Sequence, residues 1–146
     1  MTMLFVNLPV RDVRAAAAFW AELGFTCNAQ FCDESTTNVV IDDNIVVMLL
    51  DRARFQDFVT GPVADPAAGT AVLHALSADS REDVDSLVDR ALAAGASDWK
   101  PAQDHGFMYG RSFADPEGHV WEVMWMDPAV AAGQAGTDEQ LAPAGS

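Results

Sequence analysis

Asp115-Pro116-Glu117-Gly118-His119-Val120-Trp121-Glu122-Val123 is the stretch on which the reading of this chain turns. Asp-Pro-x-Gly is tight-turn chemistry, with proline presetting one backbone angle and glycine free to take the reversed one. It feeds a short alternating strand, so Val120, Glu122 and Met124 share one face while Trp121 and Val123 share the other. A carboxylate in such a run either faces solvent or stands in a cavity. That choice bears directly on whether the chain can hold a metal.

Working outward, the turn closes a unit that begins at Thr70. Residues 71–78 alternate as a strand, and Ser80-Arg81-Glu82-Asp83 resembles a capping box. Val84, Leu87, Val88, Ala91 and Leu92 then form the i, i+3, i+4, i+7, i+8 stripe of a helix that stops at Gly95. Strands follow near 97–101, 107–114 and 119–126. The same order occurs earlier. Residues 4–10 read as a strand, Asp12 caps a helix to about Leu23, and Gly24 stops it. Strand-like pieces at 25–32, 36–42 and 44–50 come next, the last two joined by Asp42-Asp43-Asn44. The economical reading is an α+β domain over 1–128 built of two βαβββ modules, 3–60 and 70–128. Arg52 to Gly69 supplies a short helix (about 52–58) and a linker, 61–69. Residues 129–146 lose all periodicity, and their composition predicts a flexible tail.

Composition bounds the partners. Half the residues are hydrophobic and 21% are charged, normal for a globular chain. No apolar run approaches the roughly 20 residues that span a bilayer. The N-terminus lacks a basic region followed by a long apolar core, so the expected location is cytoplasmic. Asp and Glu number 22 against 8 Lys and Arg, a formal net charge of -14. Such a surface repels phosphate backbones and anionic lipids and attracts cations, which argues against nucleic acid and membrane. Cys27 and Cys32 form a lone C-x4-C, matching no common zinc spacing, and are read as reduced thiols.

The duplicated unit resembles the vicinal oxygen chelate superfamily, which contains glyoxalase I, extradiol dioxygenases and bleomycin-resistance proteins. The resemblance rests on Leu8-Pro9-Val10-Arg11-Asp12-Val13 leading to Phe19-Trp20 and Leu23-Gly24-Phe25, then on Asp115-Pro116-Glu117-Gly118-His119 with Glu122. It covers residues 4–127. Phe5-Val6-Asn7-Leu8-Pro9-Val10 and the segment from Gln103 to Arg111 look most like a bacterial subgroup of predicted lactoylglutathione lyases. The resemblance implies that each module curls into a half-open cup, and that a homodimer completes the cups. Metal-dependent members place His or Glu on the first and fourth strands of the modules, where a divalent ion binds two neighbouring substrate oxygens.

In this chain those positions fall on Phe5, Met48, Leu73 and Glu122. A ring, a thioether and an aliphatic chain are poor ligands for a hard ion, so no metal cofactor is expected, and Glu122 would be its one matched ligand. His74 lies one residue from the third position, on the opposite strand face unless a bulge or register shift recruits it. His119 belongs to the turn and points away from Glu122. His105 sits in a polar loop at the expected cup mouth. Strand parity lines the cup with Phe5, Asn7, Met48, Leu73, Glu122 and Met124. Glu122 there acts as a general base, with His105 or Tyr109 as partner, or as a counter-ion, or it pairs with Arg111 on the adjacent strand. Tyr109 and Arg111 belong to the helix-facing side, and become an anion clamp in the cup if a bulge reverses the strand. Three functions stay open: a metal-independent binder of a small, cationic molecule in an apolar cup; a metal-dependent lyase or dioxygenase using Glu122 and a shifted His74; and a metal-free enzyme with Glu122 as base.

Overall fold

The repeat read from helix and strand spacing is present as two sheets, each with helices against one face. The computed structural model describes residues 1–131. In the first module β1 (Leu4–Val10) leads into α1 (Val13–Glu22), and β2 (Thr36–Asp42) and β3 (Ile45–Asp51) follow, with α2 (Arg52–Gln56) after them. In the second, β4 (Leu73–Ser77) precedes α3 (Arg81–Ala93), β5 (Ser97–Asp98), β6 (Gln103–Asp104), β7 (Met108–Ala114) and β8 (Val120–Met126). A last turn of helix, α4, spans Pro128–Ala131. The sheets have the orders β1-β3-β2 and β4-β8-β7-β5, with β6 also paired to β7. In each, the first strand of the module runs parallel to the last and the remaining pairs are antiparallel.

Both helices start where their caps dictate. Asp12 Oδ1 accepts from Ala15 N at 3.0 Å, and Ser80 Oγ accepts from Asp83 N at 3.1 Å. Their apolar faces meet one side of the sheets. Leu8, Val10, Val39, Val47 and Leu49 of the first module share a core with Phe113, Trp121 and Val123 of the second, around Phe19, Trp20, Val84 and Val88. Trp20 bridges the modules, its ring 4.7 Å from Trp121 and 6.5 Å from Phe113. Edge-to-face packing of this kind adds about 0.5–1.5 kcal/mol per pair beyond burial.

Three local expectations are corrected. Residues 25–32 are not a strand: only Thr26 bridges to Val40, and Ala29–Phe31 is a 3-10 turn. Asn28 Oδ1 accepts from Gln30 N at 3.0 Å, while the Asn38 amide grips both backbone groups of Asn28 at 2.8 Å. Those side-chain bonds replace a ladder. The strand near 97–101 stops at Asp98, because Pro101 has no N–H to donate and the chain leaves to form β6. The expected tail from 129 begins with helical residues to Ala131, started by Asp127 accepting from Ala129 N; residues 132–146 lie outside the described residues.

The Asp115–His119 turn joins the modules. Asp115 is buried; its Oδ1 accepts from Glu117 N and His119 N, and its Oδ2 from the Trp121 indole at 3.0 Å. Burial pushes this carboxyl up from its ordinary range, against the opposing pull of His119 and these donors. From the same turn His119 Nε2 donates to Pro9 O at 2.7 Å, and the Glu117 carboxylate accepts from Arg11 N and Asp12 N ahead of α1. Gly118 has φ +95, and a Cβ there would meet Ala67 N at 3.1 Å, so the linker packs on a position only glycine fills comfortably. Asp115→Ala strands three N–H donors and is expected to cost about 3–5 kcal/mol, against about 1–3 kcal/mol for Trp121→Phe, which leaves one carboxylate oxygen unpaired. Urea denaturation followed by tryptophan fluorescence measures both.

Candidate functional site

The helices α1 and α3 pack on one face of each sheet; the other face is exposed at Phe5, Leu73 and Ala75 and buried at Asn38, Val46 and Leu50. Register fixes what the open faces carry, because paired residues share a face. On the first sheet Asn7 pairs with Met48, and Met48 with Asn38. On the second, Ala75 pairs with Glu122 and Glu122 with Ser112, while Gly110 pairs with Met124. Phe5 and Leu73 are 43% and 44% exposed there, and Phe31 from the 3-10 turn packs edge-on against Phe5 at 6.2 Å. Phe5, Asn7, Met48, Leu73, Glu122 and Met124 therefore occupy the face that parity assigned to them.

Glu122 has a partner that the sequence reading missed. Lys100 Nζ lies 2.8 Å from Glu122 Oε2, the two side chains being 35% and 16% exposed. Gln103, Met108, Gly110, Arg111 and Met124 close a recess of about 20 Å³ around the pair. Lys100 is the only lysine of the chain. A sole lysine between Trp99 and Pro101 was the available signal, but nothing in strand periodicity says that a loop folds back onto β8. The alternative pairing of Glu122 with Arg111 does not occur.

Arg111 is on the other side of the sheet. β7 and β8 keep an unbroken register, so Tyr109 and Arg111 are not turned toward Glu122. Tyr109 Oη donates to Asp85 Oδ1 at 2.6 Å, and Arg111 Nη1 to Asp85 and Asp89 of α3 at 3.0 and 2.9 Å. The bond from Tyr109 holds the Asp85 carboxyl below its ordinary range and raises the phenol above its own. His105 is exposed beside Phe107, ring centres 6.3 Å apart, and does not line the recess at Glu122. Its loop is pinned by Arg81, which forks onto Asp104 at 2.8 and 2.9 Å and lies over the Tyr109 and Trp125 rings. That fork is the first cause holding Asp104 down at about 2.

No shift recruits His74. β4 and β8 pair in continuous register, with His74 opposite Trp121 rather than Glu122. The imidazole stacks on Trp121 at 4.5 Å and donates from Nδ1 to Val120 O at 3.2 Å. A carbonyl can only accept, so Nδ1 carries the proton. His74 also lines a cavity of about 230 Å³ between the modules, with Asn7, Pro9, Pro66, Val72 and His119.

The residues at the four family metal positions do not fit a hard divalent ion. Three offer no oxygen or nitrogen, and the fourth is bonded to an ammonium group. Among the described residues no three His, Cys, Asp or Glu side chains converge.

Paired βαβ units with an open face and a turn-anchored final strand define a class of duplicated α+β cup proteins. Residues 2–123 match the model of the glyoxalase/bleomycin resistance protein/dioxygenase superfamily, and the chain belongs to that superfamily. Among solved structures, it is similar to hypothetical protein SA1046 from S. aureus, at TM-score 0.74 and 23% identity over 86% of this chain and 94% of that one. A glyoxalase/bleomycin resistance protein/dioxygenase family enzyme from Burkholderia phytofirmans PsJN is similar at TM-score 0.71 and 22% identity, covering 86% and 99%. The lactoylglutathione lyase from Agrobacterium tumefaciens is similar at TM-score 0.63 and 19% identity, covering 85% and 92%. No curated protein matches the sequence. No described helix is long and apolar enough to cross a membrane.

Burial lowers the His74 pKa from its ordinary value of 6.5, so the folded chain resists protonation that the unfolded chain accepts. Its contribution to stability is complete above 6.5 and is lost as pH falls from there through the folded value. His74→Phe, which keeps the stack on Trp121, is expected to flatten the decline in urea midpoint between pH 7.5 and 5 relative to the parent chain.

Proposed function

We propose that this protein binds a small organic molecule on the open apolar faces of its two sheets, without a hard divalent ion, and that a second copy of the chain covers those faces. The observation that carries the reading is Glu122, the single carboxylate among the described strand residues of that face, held by the sole lysine within a lining of Gln103, Met108, Gly110, Arg111 and Met124. Pockets for small molecules are mainly apolar with a few fixed polar groups. Exposed Phe5, Phe31 and Leu73 supply apolar surface that a ligand and a partner copy would remove from water. A net charge of -14 favours cationic molecules at long range, and that preference falls with added salt.

Chemistry at Glu122 requires access to it, and Lys100 occupies that access. A metal-dependent lyase or dioxygenase would need further ligands beside Glu122, whereas His74 stands on the opposite strand face, across from Trp121.

The test is a fluorescence and calorimetric titration with uncharged aromatic probes such as benzamide, in chelator and then with added zinc, nickel or manganese. Binding is expected to persist in chelator, to be unaffected by the metals, and to weaken at least tenfold in Phe5→Asp, which places a charge on the apolar face. Near-stoichiometric metal retention lost in Glu122→Ala, or binding that appears only with metal, would overturn the reading. Sedimentation equilibrium at micromolar concentration is expected to give twice the chain mass for the parent and a lower mass for Phe5→Asp.

A further inference from the structure

Three observations meet at Lys100. The recess beside Glu122 measures about 20 Å³ with the lysine in place, room for one water at most. On its other side Lys100 lines a groove of about 500 Å³ with Asp98, Trp99, Pro101, Ala102, Arg111 and Ser112, so that Lys100 and Arg111 border both spaces, the Arg111 guanidinium being held by Asp85 and Asp89 of α3. In the same groove Ser112, 2% exposed and directly across from Glu122 on the neighbouring strand, has a buried hydroxyl with no hydrogen-bond partner. A buried hydroxyl left unpaired costs about 1–3 kcal/mol, and native structures rarely keep one without a use.

We propose that Glu122 and Ser112 form a subsite for an organic cation bearing N–H donors (an amidinium, guanidinium or primary ammonium group) and that Lys100 is its tethered occupant, displaced when such a ligand arrives. This rests on the small-molecule reading above and names the ligand class for that surface. The chemistry is one of exchange. Glu122 offers acceptor oxygens, and the Ser112 hydroxyl can accept one N–H or donate elsewhere. Lys100 satisfies the carboxylate but leaves the hydroxyl unpaired, whereas a planar cation with two or more N–H groups can reach both. The ion pair is partly exposed, and pairs of that kind hold weakly enough to be opened by a competing cation. Trp99, whose ring lies 5.6 Å from the ammonium, gives the released lysine an alternative seat. A neutral ligand gains nothing at Glu122 and leaves the pair closed.

Benzamidinium and its uncharged analogue benzamide separate the terms, titrated calorimetrically against the parent chain, Lys100→Gln, Glu122→Gln and Arg14→Gln. Arg14 is an exposed helix residue whose loss changes net charge by the same amount as loss of Lys100. Removing the internal competitor is expected to tighten benzamidinium about two- to fivefold in Lys100→Gln, with benzamide unchanged and Arg14→Gln like the parent. Glu122→Gln is expected to erase the preference for the cation. Because the chain has one lysine, an amine-reactive reagent followed by peptide mass spectrometry reads its release. Labelling of Lys100 is expected to accelerate at saturating benzamidinium and not at saturating benzamide. Equal affinity of both probes in every variant would sink the cation subsite while leaving the apolar cup standing. Slower labelling of Lys100 under benzamidinium, or no gain in Lys100→Gln, would mean that the lysine is not the occupant displaced. Failure of both probes to bind every variant would remove both this inference and the reading beneath it.

Discussion

The carboxylate of Asp115 fixes the turn that aligns everything else. Buried and unable to donate, it draws two backbone N–H groups and the Trp121 indole onto its oxygens. Those bonds set where β8 begins, and so decide that Trp121 enters the core while Glu122 faces away from it. The same turn carries His119 to Pro9 and Glu117 to the start of α1, so the last hairpin of one module is fastened to the first strand and helix of the other. Burying an ionised carboxyl is unfavourable, as its raised pKa records, and its three charge-assisted bonds offset that cost. The motif that marks this chain in sequence is thus structural chemistry. Its histidine joins modules and its first acid organises a corner.

Period-two parity then converts that corner into function. A strand places successive residues on opposite faces, so a one-residue difference separates a core group from a site group. His74 and Arg111 stack or pair on the helix side, while Leu73 and Ser112, each one residue away, stand on the open side. Each helix-side group has local partners: Trp121 and the Val120 carbonyl for one ring nitrogen of the histidine, Asp85 and Asp89 for the arginine. The strand could carry a charged residue inward because α3 presents two acids to receive it.

What was legible in the sequence follows the range of the forces involved. Cap residues Asp12 and Ser80, the α3 stripe and the alternation of β1, β7 and β8 are local signals, and they set the modules and their faces. The segment 25–32 was misread because Asn28 and Asn38, ten residues apart, outcompete a ladder by binding backbone groups between themselves. The pairing of Lys100 with Glu122 spans two strands and a loop, and no periodicity encodes it. Long-range polar contacts depend on where a loop returns, which hydrophobic patterning leaves undetermined.

The chain's single lysine therefore carries more information than its count suggests. An acidic surface of net charge -14 gives any mobile ammonium group many exposed carboxylates to choose from, each worth little in water. This one is instead held between Trp99 and Pro101 against Glu122, where lower solvent access strengthens the attraction. The resemblance noted in the sequence implies a divalent cation beside a carboxylate at this strand position in metal-dependent members. Here a covalently attached monovalent cation neutralises the same group. Unlike a resident ion ligated from several directions, a tethered ammonium held by one partner can swing aside without leaving the protein. On the proposal made for this lysine, recognition of an incoming cation depends on release of the charge already present.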